Sequence, residues 1–182
     1  MTTPFELDAG GLRVAGLRAG SPGGMPVLAL HGWLDNAASF VPLAARLPEL
    51  DWALVDLPGH GLSDPLPADA AYTTPQAIVQ VLAMMDALGW ERCVLLGHSM
   101  GAAIASLVAA VAPRRTQALV AIEALGGLAA PASQTVERLR AHVAALAAFS
   151  DKQLRVFADI AAPVRARMLA NQLDEPSARL LV

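Results

Sequence analysis

Short apolar runs alternate along the chain with stripes of apolar residues at helical spacing. Four apolar runs that predict strands lie at residues 26–30, 52–56, 93–96 and 118–122, and the run at 26–30 is of the kind buried on both faces of a parallel sheet. Between them, apolar residues recur three and four positions apart over 40–47 and 78–88, which predicts helices packed on that sheet. The alternation predicts a doubly wound α/β fold whose ligand site lies at the carboxyl ends of the strands.

The two ends of the chain have different patterns. Residues 5–8 and 11–18 predict a hairpin that turns at Gly10 and Gly11. From Gly126 a linker of small residues leads into an amphipathic helical pattern around residues 136–146. Further short helices are predicted at 152–158, 163–170 and 175–182. We therefore expect a core domain over residues 1–125 and an incomplete helical segment over residues 126–182.

The sequence Gly97-His98-Ser99-Met100-Gly101 joins the third of these apolar strands to an alanine-rich helix. This Gly-x-Ser-x-Gly pattern predicts a nucleophile elbow, in which a serine in a sharp, strained turn presents its hydroxyl to open space. Glycines at both flanks allow the neighbouring backbone to come close. The Met100 N–H, at a helix N-terminus, is oriented to donate to an oxyanion. The pattern alone also fits an ordinary helix start with Ser99 as its N-cap.

Three motifs in this order resemble those of the α/β-hydrolase superfamily: His31-Gly32-Trp33, then Asp56-x-Pro58-Gly59-His60-Gly61-x-Ser63-Asp64, then Gly97-His98-Ser99-Met100-Gly101. They are most similar to the branch of epoxide hydrolases, haloalkane dehalogenases and serine hydrolase-like esterases. The first two place an aspartate where this chain has Ser99. The resemblance covers roughly residues 5–182. It implies an α/β-hydrolase fold with strands one to six, followed by a helical lid that sets substrate preference.

The resemblance also implies roles for individual residues. The Trp33 N–H becomes a second oxyanion donor beside that of Met100, and the Trp33 indole walls the pocket unless it is simply a packed aromatic. Glu123 matches the position where some relatives carry the catalytic acid, although a helix-capping or lid-anchoring carboxylate is an equal alternative. Asp56 and His60 are expected to shape a loop beside the pocket, and not to serve as acid and base.

The superfamily's catalytic histidine follows the last strand of the fold, and this chain ends before such a strand. His31 precedes the oxyanion turn, His60 lies in the structural loop, and the His98 side chain is expected to leave the elbow in another direction than Ser99. His142, on the first lid helix, is expected to be solvated. We therefore expect a C-terminally truncated chain, inactive alone, whose exposed sixth strand favours self-association.

Composition excludes several classes of partner. The 182 residues are 55% hydrophobic and 16% charged, which indicates a folded domain with a large core. A net charge of −3 provides no basic field for nucleic acid or an anionic membrane. Residues 93–112 carry no formal charge, but the glycine-rich motif interrupts them, so we expect a buried strand and helix there and not a membrane span.

A single cysteine, Cys93, lies in an apolar strand, which predicts a buried thiol and a reducing compartment. The N-terminus has neither a basic segment nor an apolar run typical of a secretory signal, so a cytoplasmic protein is expected. Histidines and cysteines do not cluster at metal-ligand spacing, and no Gly-x-Gly-x-x-Gly follows a strand. We therefore expect no metal and no organic cofactor.

Together these features predict a serine hydrolase acting on a small or medium apolar, ester-like substrate. Ser99 would attack the carbonyl, the N–H groups of Trp33 and Met100 would hold the oxyanion, and water would release the acyl group. Two alternatives stay open at this point. One is a non-catalytic protein that binds a ligand or a partner, and the other is acyltransferase, C–C hydrolase or haloperoxidase chemistry on the same scaffold.

Overall fold

The computed structural model describes residues 1–127, 129–149 and 157–182. In this part of the chain, one sheet contains six strands: β1 (Thr3–Asp8), β2 (Arg13–Gly20), β3 (Pro26–Leu30), β4 (Asp51–Val55), β5 (Cys93–His98) and β6 (Thr116–Ile122). Its helices are α1 (Val41–Ala44), α2 (Thr74–Ala87), α3 (Met100–Val111), α4 (Thr135–Phe149), α5 (Ala161–Asn171) and α6 (Glu175–Leu180). Short 3-10 helices at Ala37–Phe40 and Ala132–Gln134 precede α1 and α4.

The strand order across the sheet is β1-β2-β4-β3-β5-β6, and the four strands from β4 to β6 in that order are parallel. The predicted N-terminal hairpin is confirmed, because β1 pairs with β2 antiparallel and β2 pairs with β4 antiparallel. The apolar runs predicted as strands are observed as β3, β4, β5 and β6, and the residues of the first three are almost all buried. A doubly wound, mostly parallel sheet is thus the architecture of this chain.

Two apolar layers cover the two faces of the sheet. On one face, Leu28 and Leu95 pack with Met84 of α2 and Val108 of α3. On the other face, Trp52 packs with the segment around Phe40. Cys93 is fully buried in the first layer, as predicted, and burial raises the pKa of its thiol to about 11.

The apolar stripe predicted over residues 78–88 faces the core: Val81 and Met85 are buried, and Ile78, Leu82 and Leu88 are partly buried and pack against the same layer. The residues of α2 that are buried are Gln80, Val81, Met84 and Met85. The buried face is therefore wider than the predicted stripe, and a glutamine takes a position facing the interior. Thr73 is the N-cap of α2, since the Gln76 N–H donates to Thr73 Oγ1 at 3.4 Å.

The helix predicted over residues 40–47 is shorter than its apolar spacing indicates. The structure has the 3-10 helix Ala37–Phe40, started by the Asn36 side chain that accepts the Ala38 N–H, followed by a single turn of α1. After α1, the N–H groups of Arg46 and Leu47 donate three residues back, to Leu43 and Ala44, which tightens the turn. Pro48 follows directly and cannot continue a helix.

The C-terminal segment is helical, as predicted. The helices predicted at 163–170 and 175–182 are observed as α5 and α6. Most of the helix predicted at 152–158 lies outside the described residues. Helices α5 and α6 pack on each other, and α6 contacts the 3-10 helix Ala37–Phe40. The side chains of Val136, Leu139 and Val143 on α4 are exposed. A domain boundary at residue 126 stays a prediction.

Strand β6 is an edge of the sheet within the described residues, as expected. It pairs with β5 on one side, and its Val120 and Ile122 side chains are 43% and 42% exposed. Throughout the described ranges, no helix combines the length and the apolar character that crossing a bilayer requires.

Candidate active site

Ser99 stands between β5 and α3 in a strained backbone conformation. Its φ of 52° and ψ of −115° lie outside the regions that residues other than glycine usually occupy. The Ser99 N–H donates to the Ile122 carbonyl at 2.9 Å, and the Ser99 carbonyl accepts the Ala103 N–H at 3.0 Å. These two bonds fix the turn to the end of β6 and to the first turn of α3. This is the strand–turn–helix geometry of a nucleophile elbow.

The glycines of the motif allow two close backbone contacts. A Cβ atom on Gly101 would overlap the Leu30 carbonyl at the end of β3. A Cβ atom on Gly97 would overlap the backbone of Gly101 and Ala102. The first turn of α3 therefore lies directly against β3 and β5, as only glycine at these positions permits.

The turn after β3 lies beside the elbow. A Cβ atom built on Gly32 would be 3.5 Å from the Ser99 Cβ and 3.0 Å from His98 Nδ1. Met100 is the first residue of α3, so its N–H has no partner inside the helix. Neither that N–H nor the Trp33 N–H donates to any residue that the structure describes. The structure thus brings together the two turns that carry the predicted oxyanion donors.

His31 anchors the turn that carries Gly32 and Trp33. Its ring is fully buried, and its Nε2 accepts the Leu57 N–H at 2.9 Å. Its Nδ1 therefore carries the proton and donates to the Gly32 carbonyl at 2.7 Å. Burial lowers the pKa of His31 below its ordinary value of 6.5. Because both ring nitrogens are engaged, His31 joins the oxyanion turn to the loop after β4.

The loop after β4 is organised around Asp56. The Asp56 carboxylate accepts the Ala37 N–H on Oδ1 at 2.7 Å and the Leu62 N–H on Oδ2 at 2.8 Å. Ser63 Oγ donates to the Asp56 carbonyl at 2.6 Å and accepts the Ala15 N–H at 2.9 Å. Both carboxylate oxygens are engaged by backbone groups, which agrees with the expected shape-setting loop.

His60 extends from this loop to the oxyanion turn. Its ring contacts His31 edge to face, with centroids 5.1 Å apart, and contacts the Trp33 indole with centroids 5.5 Å apart. The Trp33 side chain is 62% exposed and lines the cavity beside Ser99. The indole is thus a wall of the cavity and not a packed core aromatic.

His98 and Glu123 form a contact that the sequence analysis missed. His98 Nε2 lies 3.1 Å from Glu123 Oε2, and both side chains are partly exposed. Strands β5 and β6 are in register at His98 and Ile122, which brings the residue after β6 beside the elbow. The sequence predicted that these two strands are parallel. It did not predict which residue of β5 lies opposite which residue of β6, and this register brings His98 and Glu123 together. His142, by contrast, is exposed on α4 and lines a separate depression with Pro131 and Arg138.

A cavity of about 520 Å³ opens beside Ser99. Its apolar walls come from the loop after β4 and from α2 and α3: Leu57, Pro58, Leu66, Ala77, Met100, Ala103, Ile104 and Leu107. Polar side chains also line it, including His60, Gln76 and Gln80. In the described ranges, no three His, Cys, Asp or Glu side chains are grouped so that they could bind a metal ion.

A serine at positive φ, between a parallel strand and a helix at the carboxyl edge of a doubly wound sheet, defines the nucleophile-elbow class of site. Residues 25–175 match the family model described as alpha/beta hydrolase fold, and the chain belongs to this family. The resemblance predicted from the three motifs is therefore confirmed.

The chain is also similar in sequence to individual curated proteins. It is 40% identical over 107 residues to the serine hydrolase-like protein of Danio rerio, a match that covers 58% of this chain and 32% of the relative. It is also 36% identical over 106 residues to lipase LipV of Mycobacterium tuberculosis, covering 58% of this chain and 40% of the lipase. The matches thus span 32% and 40% of the length of these two relatives.

Solved structures match over nearly the whole chain. The hypothetical protein PA1622 from Pseudomonas aeruginosa PAO1 is 36% identical with a TM-score of 0.92, covering 98% of this chain and 64% of that one. The thioesterase domain from the curacin biosynthetic pathway is 28% identical with a TM-score of 0.82, covering 100% of this chain and 66% of that domain.

Proposed function

We propose that this chain carries the nucleophile and the oxyanion donors of a serine hydrolase that acts on small or medium apolar, ester-like substrates. The observation that carries the proposal is the strained Ser99 backbone, with φ of 52°, held against the Gly32–Trp33 turn at the mouth of a largely apolar cavity. Strain of this kind is maintained where the surrounding structure requires it, and active sites are the usual place.

The mechanism follows from this placement. Ser99 Oγ attacks the substrate carbonyl carbon, and the carbonyl oxygen becomes an oxyanion that the N–H groups of Trp33 and Met100 hold. A general base accepts the Ser99 proton during the attack, and it gives that proton to the leaving alcohol when the carbon–oxygen bond of the ester breaks. Water attacks the acyl-serine in the second half, releasing the carboxylic acid and restoring Ser99.

The general base comes, in this proposal, from a histidine that these 182 residues do not contain. Both ring nitrogens of His31 are engaged, His98 pairs with Glu123, and His142 lies outside the cavity. His60 Nδ1 faces the Pro58 carbonyl at 3.2 Å. In this proposal the 182-residue chain is inactive by itself, and Glu123, held near the elbow by its contact with His98, is a candidate acid.

A fluorophosphonate probe, which reacts with activated serines, tests the proposal on the longest native form of the protein from its source cells. We expect an adduct on Ser99, lost in Ser99→Ala and retained in the matched control Ser133→Ala, whose serine is exposed and outside the cavity. Removing triad members commonly lowers the rate by a factor of about a thousand or more. Ester hydrolysis at the wild-type rate by Ser99→Ala would refute the proposal.

The non-catalytic alternative makes the opposite prediction. If the native protein has the mass of the 182-residue chain and takes no probe, the cavity serves binding alone. Hydrolase and acyltransferase chemistry are separated by adding an alcohol that competes with water, because a transferase gives the new ester as its main product. We also propose a cytoplasmic location, supported by the single buried cysteine.

A further inference from the structure

Gln80 is a polar residue in an unusual position. It lies on α2 among the buried residues Val81, Met84 and Met85, and it is only 9% exposed. Its side chain lines the cavity beside Ser99. Its Oε1 atom is buried and accepts no hydrogen bond from any residue that the structure describes.

Buried amide oxygens in folded proteins nearly always have a hydrogen-bond donor, and leaving one without a donor is destabilising. A glutamine that met only core side chains would therefore be a poor choice here, since leucine or methionine fills the same space without an unmet polar atom. Gln80 lines the cavity, and no donor among the described residues reaches its Oε1, so a molecule bound in the cavity can supply the missing donor.

The side-chain amide can turn either of its ends toward the cavity. Rotation by half a turn about the Cγ–Cδ bond exchanges the oxygen and the nitrogen, and this terminal torsion has a broad, roughly two-fold profile. In that orientation the oxygen accepts a donor from a bound molecule while the rest of that molecule contacts apolar walls. An apolar pocket with one well-placed polar group is a common way to fix ligand orientation.

We propose that Gln80 is a specificity-determining residue that hydrogen-bonds a hydroxyl or amide N–H carried on the otherwise apolar part of the substrate. The inference rests on the proposed hydrolase function and makes it more specific. The substrates are esters whose chain bears a hydrogen-bond donor away from the scissile carbonyl. Unsubstituted alkyl esters fill the same cavity but leave the Gln80 oxygen unpaired.

The test uses the longest native form of the protein and two series of esters. One series has p-nitrophenyl octanoate and counterparts with one hydroxyl on the third carbon or on one of the last three carbons. The other series has octyl acetate and octyl acetates that carry a hydroxyl on the alcohol chain. Hydrolysis of this series is measured with a pH-stat. The measured quantity is the ratio of kcat/KM for each hydroxylated ester to that for its unsubstituted parent. The variants are Gln80→Met and the matched control Gln117→Met, which changes an exposed glutamine on β6.

We expect at least one hydroxylated ester to be preferred by about tenfold in the wild type, the size of one net hydrogen bond. The preference is lost in Gln80→Met and kept in Gln117→Met. No preference in either series, or a preference that Gln80→Met retains, overturns the inference and leaves the proposed function standing.

Ligand binding tests the role of Gln80 even if the proposed hydrolase function is wrong. If no ester is hydrolysed in a Ser99-dependent way, the hydrolase proposal is overturned. Calorimetric binding of octanoate and of its hydroxylated counterparts to the same variants then decides on Gln80. Tighter binding of a hydroxylated acid that Gln80→Met abolishes supports the inference, and equal binding of all the acids overturns it.

Discussion

His98 Nε2 lies 3.1 Å from Glu123 Oε2, which links the elbow to the residue that follows β6. The contact is an ion pair only while His98 is protonated. The side chains are 40% and 66% exposed, so water screens their attraction. The pair therefore orients the Glu123 carboxylate more than it stabilises the fold.

The first prediction follows from that exposure. In a double-mutant cycle of His98→Gln and Glu123→Gln at about pH 5, we expect a coupling free energy of roughly 0.2–1 kcal/mol that decreases at high salt. Urea unfolding of the four proteins measures it. A coupling of several kcal/mol, unaffected by salt, would contradict a screened surface pair.

The second prediction concerns the loop after β4. Asparagine at position 56 has a single acceptor oxygen, whereas the Asp56 carboxylate satisfies the N–H groups of both Ala37 and Leu62. Asp56→Asn should lower the free energy of unfolding by about 1.5–3 kcal/mol, since one backbone donor loses a charged acceptor. Denaturant unfolding measures the change, with the exposed Asp69→Asn as control. Equal stability of the two variants would mean that Asp56 does not organise the loop.

The third prediction is a pH dependence. Burial lowers the pKa of His31 in the folded state, so the unfolded state binds more protons once the pH falls below its ordinary pKa of 6.5. The stability associated with neutral His31 is complete above that value and is lost as the pH falls through the lowered pKa. Wild-type protein should therefore lose more stability between about pH 7.5 and about pH 5 than His31→Gln does.

Chemical denaturation at the two pH values measures this difference, and His142→Gln, at an exposed position on α4, serves as the control that keeps the wild-type slope. A His31→Gln slope as steep as the wild type would assign the pH dependence to other groups.

The fourth prediction concerns the exposed edge of the sheet. Within the part of the chain that the structure describes, β6 pairs with another strand on one side only, and its Val120 and Ile122 are partly exposed. Such an edge favours pairing with another chain, and a lysine on it opposes the pairing. We expect Val120→Lys to weaken self-association of the 182-residue chain, measured by sedimentation across a concentration series. The control is Val79→Lys, an equally drastic change on the exposed side of α2. Loss of association in both variants would indicate a charge effect without a role for the edge.

The sheet and the elbow were predictable because local sequence determines them. A continuous apolar run such as Leu28 to Leu30 fits a strand covered on both faces, and Gly97 and Gly101 mark a turn where backbones touch. Family motifs then placed the Gly32–Trp33 turn beside Ser99, and the geometry brings the two together.

The features that the sequence did not predict depend on tertiary contacts. The His98–Glu123 contact requires the register of β5 against β6, which no local pattern encodes. The buried position of Gln80 depends on how α2 packs against the sheet and α3, which the apolar spacing of the helix alone does not specify. The 3-10 helix that precedes α1 is capped by the Asn36 side chain, a contact that apolar spacing ignores.

The backbone of Ser99 has an evolutionary consequence. A φ of 52° costs a serine roughly 1–3 kcal/mol, whereas glycine adopts such a conformation without that penalty. Selection for folding alone would therefore favour glycine at this position in a descendant that had no need of a nucleophile. A descendant that kept serine would be accepting a less stable fold, and the residue found at position 99 would then serve as a record of whether catalysis was under selection.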